Sequence, residues 1–448
     1  MSPIAIKARD LDGNALLAFA AAERGFGVIL GSSSLTRKAY TPRGIVVEKN
    51  LRPGKGIRRV SELLAERQKV AAWCDEGLIY KDAETYRRLK FDPEAYRMVD
   101  LYFPWGNHQA VDLVESLGCA GDKLRISGNP RFDIHRPDVR AVLEDRADSI
   151  RRRHGRYILI NTKFATFNGF AGSGKNIAEM RARGMLHTAE HEREANALRD
   201  FQGSLFTEFM QLTEELSRQF PELTIVVRPH PSENHEPWRK KAATLPNVKV
   251  VYEGNVAEWI VGSEICIHNN CTTGVEAYLL GKPSISFRPV SDPRFDLFLP
   301  CALSSETFEL AQLMEVVAQI LNGEGSPGPG DTNGKAVTAR QFIANMDGKW
   351  ACDSILDALE SIDVPELPLS FEIGVIETAT LHLRRNLAPL GRLGWSKDAV
   401  SRHRFTKQKF GALPEMELLS LLKSARKATG RFSDVQISTL EDGIVCIY

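Results

Sequence analysis

Short runs rich in β-branched residues alternate with stretches of helical periodicity from residue 4 to residue 287. Because strands separated by helices form βαβ units, this alternation predicts an α/β fold with mostly parallel sheets. The predicted strands are residues 4–7, 27–30, 70–73, 101–103, 124–126, 157–161, 223–228, 248–252, 265–268 and 284–287. The predicted helices are residues 14–24, 59–67, 83–90, 108–117, 139–154, 195–219 and 274–280.

The pattern restarts near residue 150, which predicts two Rossmann-like domains in succession. A Gly/Pro-rich linker and a C-terminal extension follow; the extension is helical at first and ends in two β-like runs. Ligands of such sheets bind outside the carboxyl ends of the strands, so we expect a site in the cleft between the domains. The predicted units are residues 1–150, residues 151–321, the linker 322–334 and the extension 335–448.

Composition excludes several classes of protein. The 448 residues include 58 Lys and Arg against 57 Asp and Glu, a net charge of +1, whereas a dedicated nucleic-acid binder needs a basic excess. No run approaches the roughly 18 apolar residues that cross a bilayer, and the N-terminus has no signal-peptide core. The seven cysteines are scattered without a CxxC pair, which favours a reducing compartment over disulfides or a zinc cluster. We therefore expect a cytoplasmic protein without a nucleic-acid partner.

The segment 228–233 (RPHPSE) directly follows a predicted apolar strand. Prolines on both sides restrict the backbone around His230, which favours a positioned side chain over an ordinary surface histidine. An arginine and a histidine at a strand's carboxyl end can hydrogen-bond a phosphate or a nucleotide leaving group. The segment therefore supplies candidate phosphate ligands in Arg228, His230, Pro231 and Ser232.

A second polar segment, 268–277, runs from a predicted strand through a loop into a predicted helix. The N-terminus of a helix presents free N–H groups and a positive dipole end, which suit an anion. One of the two threonines also suits the role of helix N-cap, and Glu276 is a candidate for ribose hydroxyls or for simple compensation of the helix dipole. The candidate nucleotide ligands here are Asn270, Thr272, Thr273, Gly274 and Glu276.

Adjacent carboxylates, Asp75 and Glu76, follow the predicted strand 70–73 and precede Gly77. In a cleft, one of them can serve as a general base on a hydroxyl or as a nucleophile. Acidic turns before glycine are common, so this segment gains its meaning from the other two.

Together the three segments resemble bacterial GT-B transferases that use CMP-activated acidic sugars, the sialyltransferases and Kdo transferases. Those enzymes carry an acidic motif ending in Gly, then a His-Pro motif, then a Ser/Thr motif, in the order found here. The chain is more similar still to the bacterial "surface carbohydrate biosynthesis protein" family, over roughly residues 4–289. The segments that carry this resemblance are 22–25, 75–78, 128–133, 157–162, 228–234 and 268–277.

The resemblance implies a metal-independent glycosyltransferase of GT-B fold that needs no cofactor. His230, Thr272 and Thr273 would hold the CMP phosphate, and Asp75 or Glu76 would face the anomeric carbon or the acceptor hydroxyl. The donor would be a CMP-activated ulosonic acid and the acceptor a lipid-linked surface glycan. Inversion and retention of the anomer both stay open, because that choice rests on geometry. The alternatives are a UDP-GlcNAc 2-epimerase-like enzyme, a polyol-phosphate transferase with a CDP donor, and a non-catalytic glycan-binding scaffold.

Three further matches point to other chemistry. Residues 169–176 nearly spell a P-loop, but Asn176 replaces the Mg²⁺-binding Ser or Thr, so we expect a mobile cleft loop with Lys175 near an acidic substrate. Residues 187–191 match the HxxEH zinc-protease pattern within a strongly charged, helix-like stretch and without a third ligand. Residues 10–12 resemble the DxD of metal-dependent transferases and lie in the first predicted βα loop. Cleft positions make Arg9, Asp12, Gly77 and Asn161 further candidates.

Two basic stretches complete the picture. Residues 37–59 and 384–409 each hold eight Lys or Arg against one acid. Most charge runs are solvated faces. With acidic sugars as substrates, these stretches would also draw in the donor or hold the enzyme against an anionic inner membrane.

Overall fold

The computed structural model describes residues 2–4, 6–32, 43–170, 172, 175–182, 185–324, 332–364, 408, 410, 412–441 and 443–448. Most of the predicted linker, part of the first basic stretch and nearly all of the second lie outside these residues. No helix within the described ranges has the length and apolar character that crossing a membrane requires.

The first domain contains two hydrogen-bonded sheets, one in which β1 pairs with β2 and one in which β4 pairs with both β3 and β5. Strand β1 lies next to β3 where the two sheets meet, so the strands follow the spatial order 2-1-3-4-5. This is the flavodoxin-like order of doubly wound sheets, in which ligands bind where the strand order reverses, here between β1 and β3. The strands are β1 (Ser2–Ile4), β2 (Val28–Ser32), β3 (Ile45–Glu48), β4 (Lys69–Ala72) and β5 (Leu101–Tyr102).

The second domain is a six-stranded, all-parallel sheet. Its order, β11-β10-β9-β6-β7-β8, is the Rossmann order 3-2-1-4-5-6 read from the other edge, and it reverses between β6 and β9. The α/β, GT-B-like prediction of two Rossmann-like domains is thus confirmed. The strands are β6 (Tyr157–Asn161), β7 (Thr224–Arg228), β8 (Val248–Val250), β9 (Ile265–His268), β10 (Ser284–Phe287) and β11 (Ser305–Thr307).

The C-terminal residues complete the first domain's sheet. Strands β12 (Ile437–Glu441) and β13 (Ile444–Ile447) form an antiparallel hairpin, and β13 pairs antiparallel with β2. The sequence predicts the first of the two C-terminal β-like runs at residues 434–437, whereas the strand in the structure begins at Ile437. Residues assigned by sequence to a separate extension thus share a sheet with the N-terminus.

The helices surround these sheets. Helix α1 begins at Lys7 instead of residue 14, because the Asp10 carboxylate accepts from the Ile6 N–H (3.1 Å) and starts the first turn early. The predicted strand at 124–126 is reduced to one bridge between Tyr102 and Leu124. The helices of the first domain are α1 (Lys7–Glu23), α2 (Gly56–Ala65), α3 (Ala83–Lys90), α4 (Pro93–Met98) and α5 (Asn107–Val111). The later helices are α6 (Ala141–His154), α7 (Lys175–Ala182), α8 (Ala189–Gln219), α9 (Glu236–Ala242), α10 (Val256–Gly262), α11 (Thr272–Leu279), α12 (Phe298–Ala302), α13 (Leu310–Leu321), α14 (Thr332–Phe342), α15 (Ala351–Leu359) and α16 (Glu415–Thr429).

Apolar packing joins the two domains. Helix α1 is buried along most of its length, and Leu16 and Phe19 belong to the same core as Tyr157 and Trp259 of the second domain. A smaller cluster joins Trp105 and Phe132 of the first domain to Val275 and Leu299 of the second, among others. Because apolar burial stabilises by about 25 cal/mol per Å², these contacts hold the domains in a defined relation.

Gly13 allows α1 to approach the segment that carries Arg131. A Cβ at this position would lie 2.6 Å from the backbone N and Cα of Arg131. Only glycine permits that distance, and it brings the N-terminal turns of α1 beside the 3₁₀ turn Pro130–His135.

Candidate functional site

The carboxyl ends of the strands on either side of both reversal points carry polar side chains. In the first domain Asp10 follows β1 and Lys49 follows β3, with Asp75 after the neighbouring β4. The second domain places Asn161 at the end of β6 and Asn269 after β9. Both crevices expected from strand order are therefore built from charged or hydrogen-bonding groups.

Electrostatic effects link the two sides of the cleft. Burial opposes the charge on Arg9, yet Asp10, Asp75 and also Glu276 of the second domain hold its pKa above the usual value. A direct ion pair between Arg131 and Glu276 crosses the same boundary. Charged groups of the two crevices are thus electrostatically coupled.

Asp75 combines partial burial with restrained geometry. Its side chain is 16% exposed, one carboxylate oxygen accepts from Trp73 Nε1 (2.8 Å), and the other lies 3.5 Å from an Arg9 nitrogen. Burial, and then the charge of Asp10, raise the pKa of Asp75 to about 6, although Arg9 and Lys49 act against the shift. A carboxylate with this pKa is mostly ionised at neutral pH and is a better proton acceptor than an ordinary aspartate.

Glu76 has a different environment. Lys90 contacts its carboxylate, while nitrogens of Arg52 and Arg9 lie 3.3 and 4.0 Å from it. Gly77 makes the sharp turn that follows, because a Cβ there would collide with the Gln109 amide. The two predicted catalytic carboxylates are therefore not equivalent: Asp75 is partly desolvated, whereas Glu76 is bound by cations.

Arg9 and Asp12 are both predicted as cleft residues, but their side chains have different partners. Arg9 is bound by Asp10 at 2.5 Å and reaches Asp75 and Glu76, so it belongs to the site. Asp12 lies on helix α1 instead of a loop, and its carboxylate accepts from Arg146 (2.9 Å) and Asn255 (2.7 Å). The structure thus corrects the acceptor-site assignment of Asp12, whose carboxylate fastens α1 to the second domain.

Glu233, at the end of the predicted phosphate segment, organises the loop that follows β7. Its buried carboxylate accepts from the Thr162 hydroxyl (2.8 Å), the Phe164 N–H (3.0 Å) and the His230 N–H (3.1 Å). The Trp238 indole N–H donates to it at 3.3 Å. The loop that carries His230 is therefore held to the β6 side of the crevice through one side chain.

The same loop orients the His230 imidazole. Its Nδ1 accepts from the Ser232 N–H (3.1 Å), which makes Nε2 the donor of the neutral ring. Pro231 and Ser232 remain half-buried in this loop, and the Pro231 carbonyl accepts from Gln408 (2.7 Å). The loop thus restrains the His230 imidazole, and its contact with a phosphate stays a prediction.

Two residues that the sequence predicts to contact a ligand instead form hydrogen bonds within the second domain. The buried Arg228 guanidinium donates to the Glu253 carbonyl (2.5 Å) and the Gly254 carbonyl (2.7 Å), and it lies over the ring of Trp259. Asn161 is buried and its amide donates to Cys266 Sγ (3.4 Å). Both side chains support the sheet and its loops, which corrects their assignment as ligand contacts.

Helix α11 begins as expected after β9, with a different cap. Cys271 occupies the N-cap position, so neither threonine caps the helix. Thr272 is half-buried; Thr273 is buried, and its Oγ1 has no hydrogen-bond partner among the described residues. A buried hydroxyl without a partner costs free energy, which an incoming acceptor such as phosphate would recover.

A buried histidine fixes the start of this helix. His268 Nδ1 accepts from the Cys271 N–H (3.4 Å), and Nε2 pairs with the Ser304 hydroxyl (2.8 Å). Burial lowers the pKa of His268 to about 3, so the ring is neutral. Gly274 is required because a Cβ there would collide with this imidazole.

Asn270 and Glu276 both serve contacts inside the protein. Asn270 adopts a left-handed φ of 53° and bonds Asp296 (3.0 Å) and the Leu297 N–H (3.2 Å), so it fastens the loop before α12. Glu276 is 1% exposed and pairs with Arg131 and with His135, the latter at 3.4 Å. The assignment of Glu276 to ribose hydroxyls is corrected accordingly: its carboxylate joins the domains.

The other sequence matches occupy ordinary positions. Lys175 is the first residue of α7, and its side chain lies outside the described part of the chain. In the HxxEH match, Thr188 is the N-cap of α8 and accepts from the His191 N–H (3.1 Å). Among the described residues no group of three or more His, Cys, Asp or Glu side chains is placed to hold a metal ion.

Several site residues escaped the sequence analysis. Lys49 is buried, and its ammonium has no hydrogen-bond partner among the described residues. The apolar run Ile45–Glu48 before it has the composition of a strand, and recognising β3 would have indicated Lys49 and Arg52. Asp10 and Glu233 lie within matched segments and Lys90 does not, but the sequence indicated the role of none of them, because those roles depend on side chains from distant segments.

Comparisons with known proteins give only distant likenesses. No protein-family model and no curated protein matches the chain. Anabaena HepE in complex with UDP-glucose is 11% identical, covering 71% of this chain and 79% of HepE with a TM-score of 0.38. The wall teichoic acid polymerase TagF, soaked with CDPG, is 11% identical, covering 66% and 67% with a TM-score of 0.41. UDP-GlcNAc 2-epimerase from Neisseria meningitidis, bound to UDP-GlcNAc, is 14% identical, covering 78% and 81% with a TM-score of 0.42.

Replacing Glu233 tests whether it organises the His230 loop. Glu233→Ala leaves several buried donors without an acceptor, so we expect the free energy of unfolding to fall by about 3 kcal/mol. Urea denaturation measures the change. The exposed Glu236 in the same region is the matched control, and Glu236→Ala should change stability by less than about 0.5 kcal/mol. Equal effects of the two variants would contradict the role given to Glu233.

Proposed function

We propose that the protein is a GT-B glycosyltransferase that moves an acidic ulosonic sugar from a CMP-activated donor to a bacterial surface glycan. The observation that carries this proposal is the position of Asp75, a carboxylate of raised pKa in a cleft whose other side offers groups suited to phosphate. An acceptor hydroxyl beside Asp75 and a donor phosphate beside α11 would place the reacting groups between the two domains.

Asp75 would act in the attack on the anomeric carbon. As a general base it would take the proton of the acceptor hydroxyl as that oxygen attacks the anomeric carbon. As a nucleophile it would instead bond to the anomeric carbon and retain the anomer. Both roles need the ionised carboxylate, and Arg9 and Lys49 favour that form.

The second domain would act on the leaving group. The N–H groups at the start of α11 and the hydroxyls of Thr272 and Thr273 would donate hydrogen bonds to the phosphate of CMP. His230, whose Nε2 is the donor of the neutral ring, would supply a further hydrogen bond as negative charge develops on the phosphate. These groups would stabilise the departing CMP without a metal ion.

The charge of the cleft favours an acidic sugar. Arg9, Arg52 and Lys90 surround Glu76, and Lys163 from the second domain adds to the positive charge near Lys90. A neutral sugar gives these cations no partner, whereas a ulosonic acid supplies a carboxylate. The basic stretches at 37–59 and 384–409 would favour a lipid-linked acceptor at an anionic membrane, and they support the proposal that the enzyme works in the cytoplasm at the inner membrane.

Nucleotide selectivity tests the proposal. In calorimetric titrations we expect CMP to bind with EDTA present, and UDP to bind at least about tenfold more weakly. A preference for UDP, with or without metal, would instead favour the epimerase or a UDP-sugar transferase. A preference for CDP would favour polyol-phosphate transfer, and no nucleotide binding would favour the scaffold. Each of these results would overturn the CMP-sugar assignment.

The role of Asp75 makes a second, kinetic prediction. Asp75→Asn should lower kcat by about 10³-fold, because the amide cannot accept the proton. In the unsubstituted enzyme kcat/KM should fall about tenfold per pH unit below the Asp75 pKa of about 6, since protonation removes the base. Initial rates across about pH 5 to pH 8 measure this limb.

The exposed Asp122 lies outside the cleft and provides the isosteric control Asp122→Asn. If Asp75→Asn has the same kcat as Asp122→Asn, and its kcat/KM falls in the same way at low pH, Asp75 is not the base.

A further inference from the structure

The Glu76 carboxylate lies among cations from separate parts of the first domain. Lys90 comes from the last turn of α3, Arg52 from the loop between β3 and α2, and Arg9 from the first turns of α1. The Glu76 side chain is 37% exposed, so it lies at the surface of the cleft. An exposed ion pair contributes little to stability, which means that displacing this carboxylate is not costly.

Positive charge exceeds negative charge at this position. Arg9 is shared with Asp10 and Asp75, whereas Glu76 is the one carboxylate that the described residues place within 4.0 Å of Arg52 and Lys90. Burial and the nearby Arg52 lower the pKa of Lys90 to about 7, with Lys163 and Arg9 adding to the effect. The three cations therefore carry more positive charge than Glu76 compensates, which favours the binding of an anionic ligand.

Arg52 provides an independent sign of a missing partner. Its NH2 group faces Glu76, but its buried Nε has no hydrogen-bond partner among the described residues. A guanidinium binds a carboxylate best through two parallel N–H donors. Glu76 contacts only one nitrogen of Arg52, so the Nε–H donor is left for an oxygen of a ligand.

We propose that Arg9, Arg52 and Lys90 form a site for the carboxylate of the donor sugar, and that Glu76 occupies this site until the donor displaces it. The inference rests on the proposed function, because in a ulosonic acid the carboxylate is bonded to the anomeric carbon itself. Its binding site must therefore adjoin the group that acts on that carbon. Glu76 directly follows Asp75, so the three cations stand where this chemistry needs them.

The site distinguishes acidic from neutral sugars by electrostatics. A sugar that lacks the carboxylate cannot displace Glu76, so Glu76 keeps its ion pairs with the cations and the anomeric carbon is not drawn towards Asp75. The carboxylate of an acidic sugar replaces Glu76 and accepts from two N–H donors of the Arg52 guanidinium. Glu76 is then a specificity-determining residue instead of a second catalytic carboxylate.

The test uses pyruvate, whose carboxylate beside a carbonyl carbon resembles the reacting end of a ulosonic acid. Removing the internal competitor with Glu76→Gln should increase pyruvate affinity at least about tenfold over the unsubstituted protein, measured by calorimetry. Adding Arg52→Gln and Lys90→Gln to that variant should abolish the gain. Glu62→Gln, which removes a carboxylate from an arginine pair outside this cluster, is the matched control and should leave affinity unchanged.

Equal pyruvate affinity in Glu76→Gln and the unsubstituted protein would overturn the proposal, as would a gain that survives loss of Arg52 and Lys90. Arg52→Gln alone, in the otherwise natural chain, guards against misfolding of the triple variant: it should weaken binding of the CMP-activated acidic sugar at least about tenfold while CMP affinity is unchanged. If the unsubstituted protein does not bind CMP, the proposed function is wrong. The carboxylate site is tested separately, because the pyruvate result does not depend on the nucleotide.

Discussion

The site depends on how Arg9 is held at the start of α1. Asp10 binds its guanidinium, and the same aspartate accepts from the Ile6 N–H, so the helix begins where the cation is needed. From this position Arg9 reaches both Asp75 and Glu76. Burial of so many charges is favourable only when each has a partner of opposite sign, which explains why Arg9, Asp10 and Asp75 occur together. Without Arg9, the desolvated Asp75 would be protonated at higher pH and less able to act as a base.

The relation between the domains follows from packing as well as charge. Gly13 allows α1 to lie against the segment that bears Arg131, and Arg131 pairs with Glu276 across the cleft. Asp12 ties the same helix to Arg146 and Asn255. Since β13 also pairs with β2, both ends of the chain stabilise the domain that supplies Asp75. Asp75 and helix α11, to which we assign the catalytic carboxylate and the phosphate site, are thus held by one connected set of contacts.

Much of this arrangement is predictable from local sequence pattern. The parallel sheets, the cleft, the polar loop after β7 and the start of α11 after β9 follow from strand and helix periodicity and from rules for the carboxyl ends of strands. Side-chain direction does not follow from these rules. Arg228 and Asn161 end buried strands as a ligand residue would, yet tertiary packing directs both into the domain. The local pattern predicts a loop at Asp12, because the contact that starts α1 early depends on the side chain of Asp10.

Contacts between residues far apart in the chain are also not predictable from local sequence pattern. The pairing of β13 with β2 joins segments at opposite ends of the chain, and no local pattern records it. Glu76 looked equivalent to Asp75 because the three cations around it come from α1, α3 and a loop after the unpredicted strand β3. Nucleotide identity depends on contacts of the base, which neither motif spacing nor strand order specifies.

In the proposed reaction an acceptor hydroxyl attacks an acidic sugar as CMP leaves. NMR can follow the release of CMP from a CMP-activated ulosonic acid in the presence of a chelator, with and without a lipid-linked bacterial glycan. We expect CMP to form in step with sugar transfer and only when the glycan is present. Conversion of a UDP-sugar without any acceptor, or an absence of acceptor-dependent CMP release with every ulosonic donor, would contradict it.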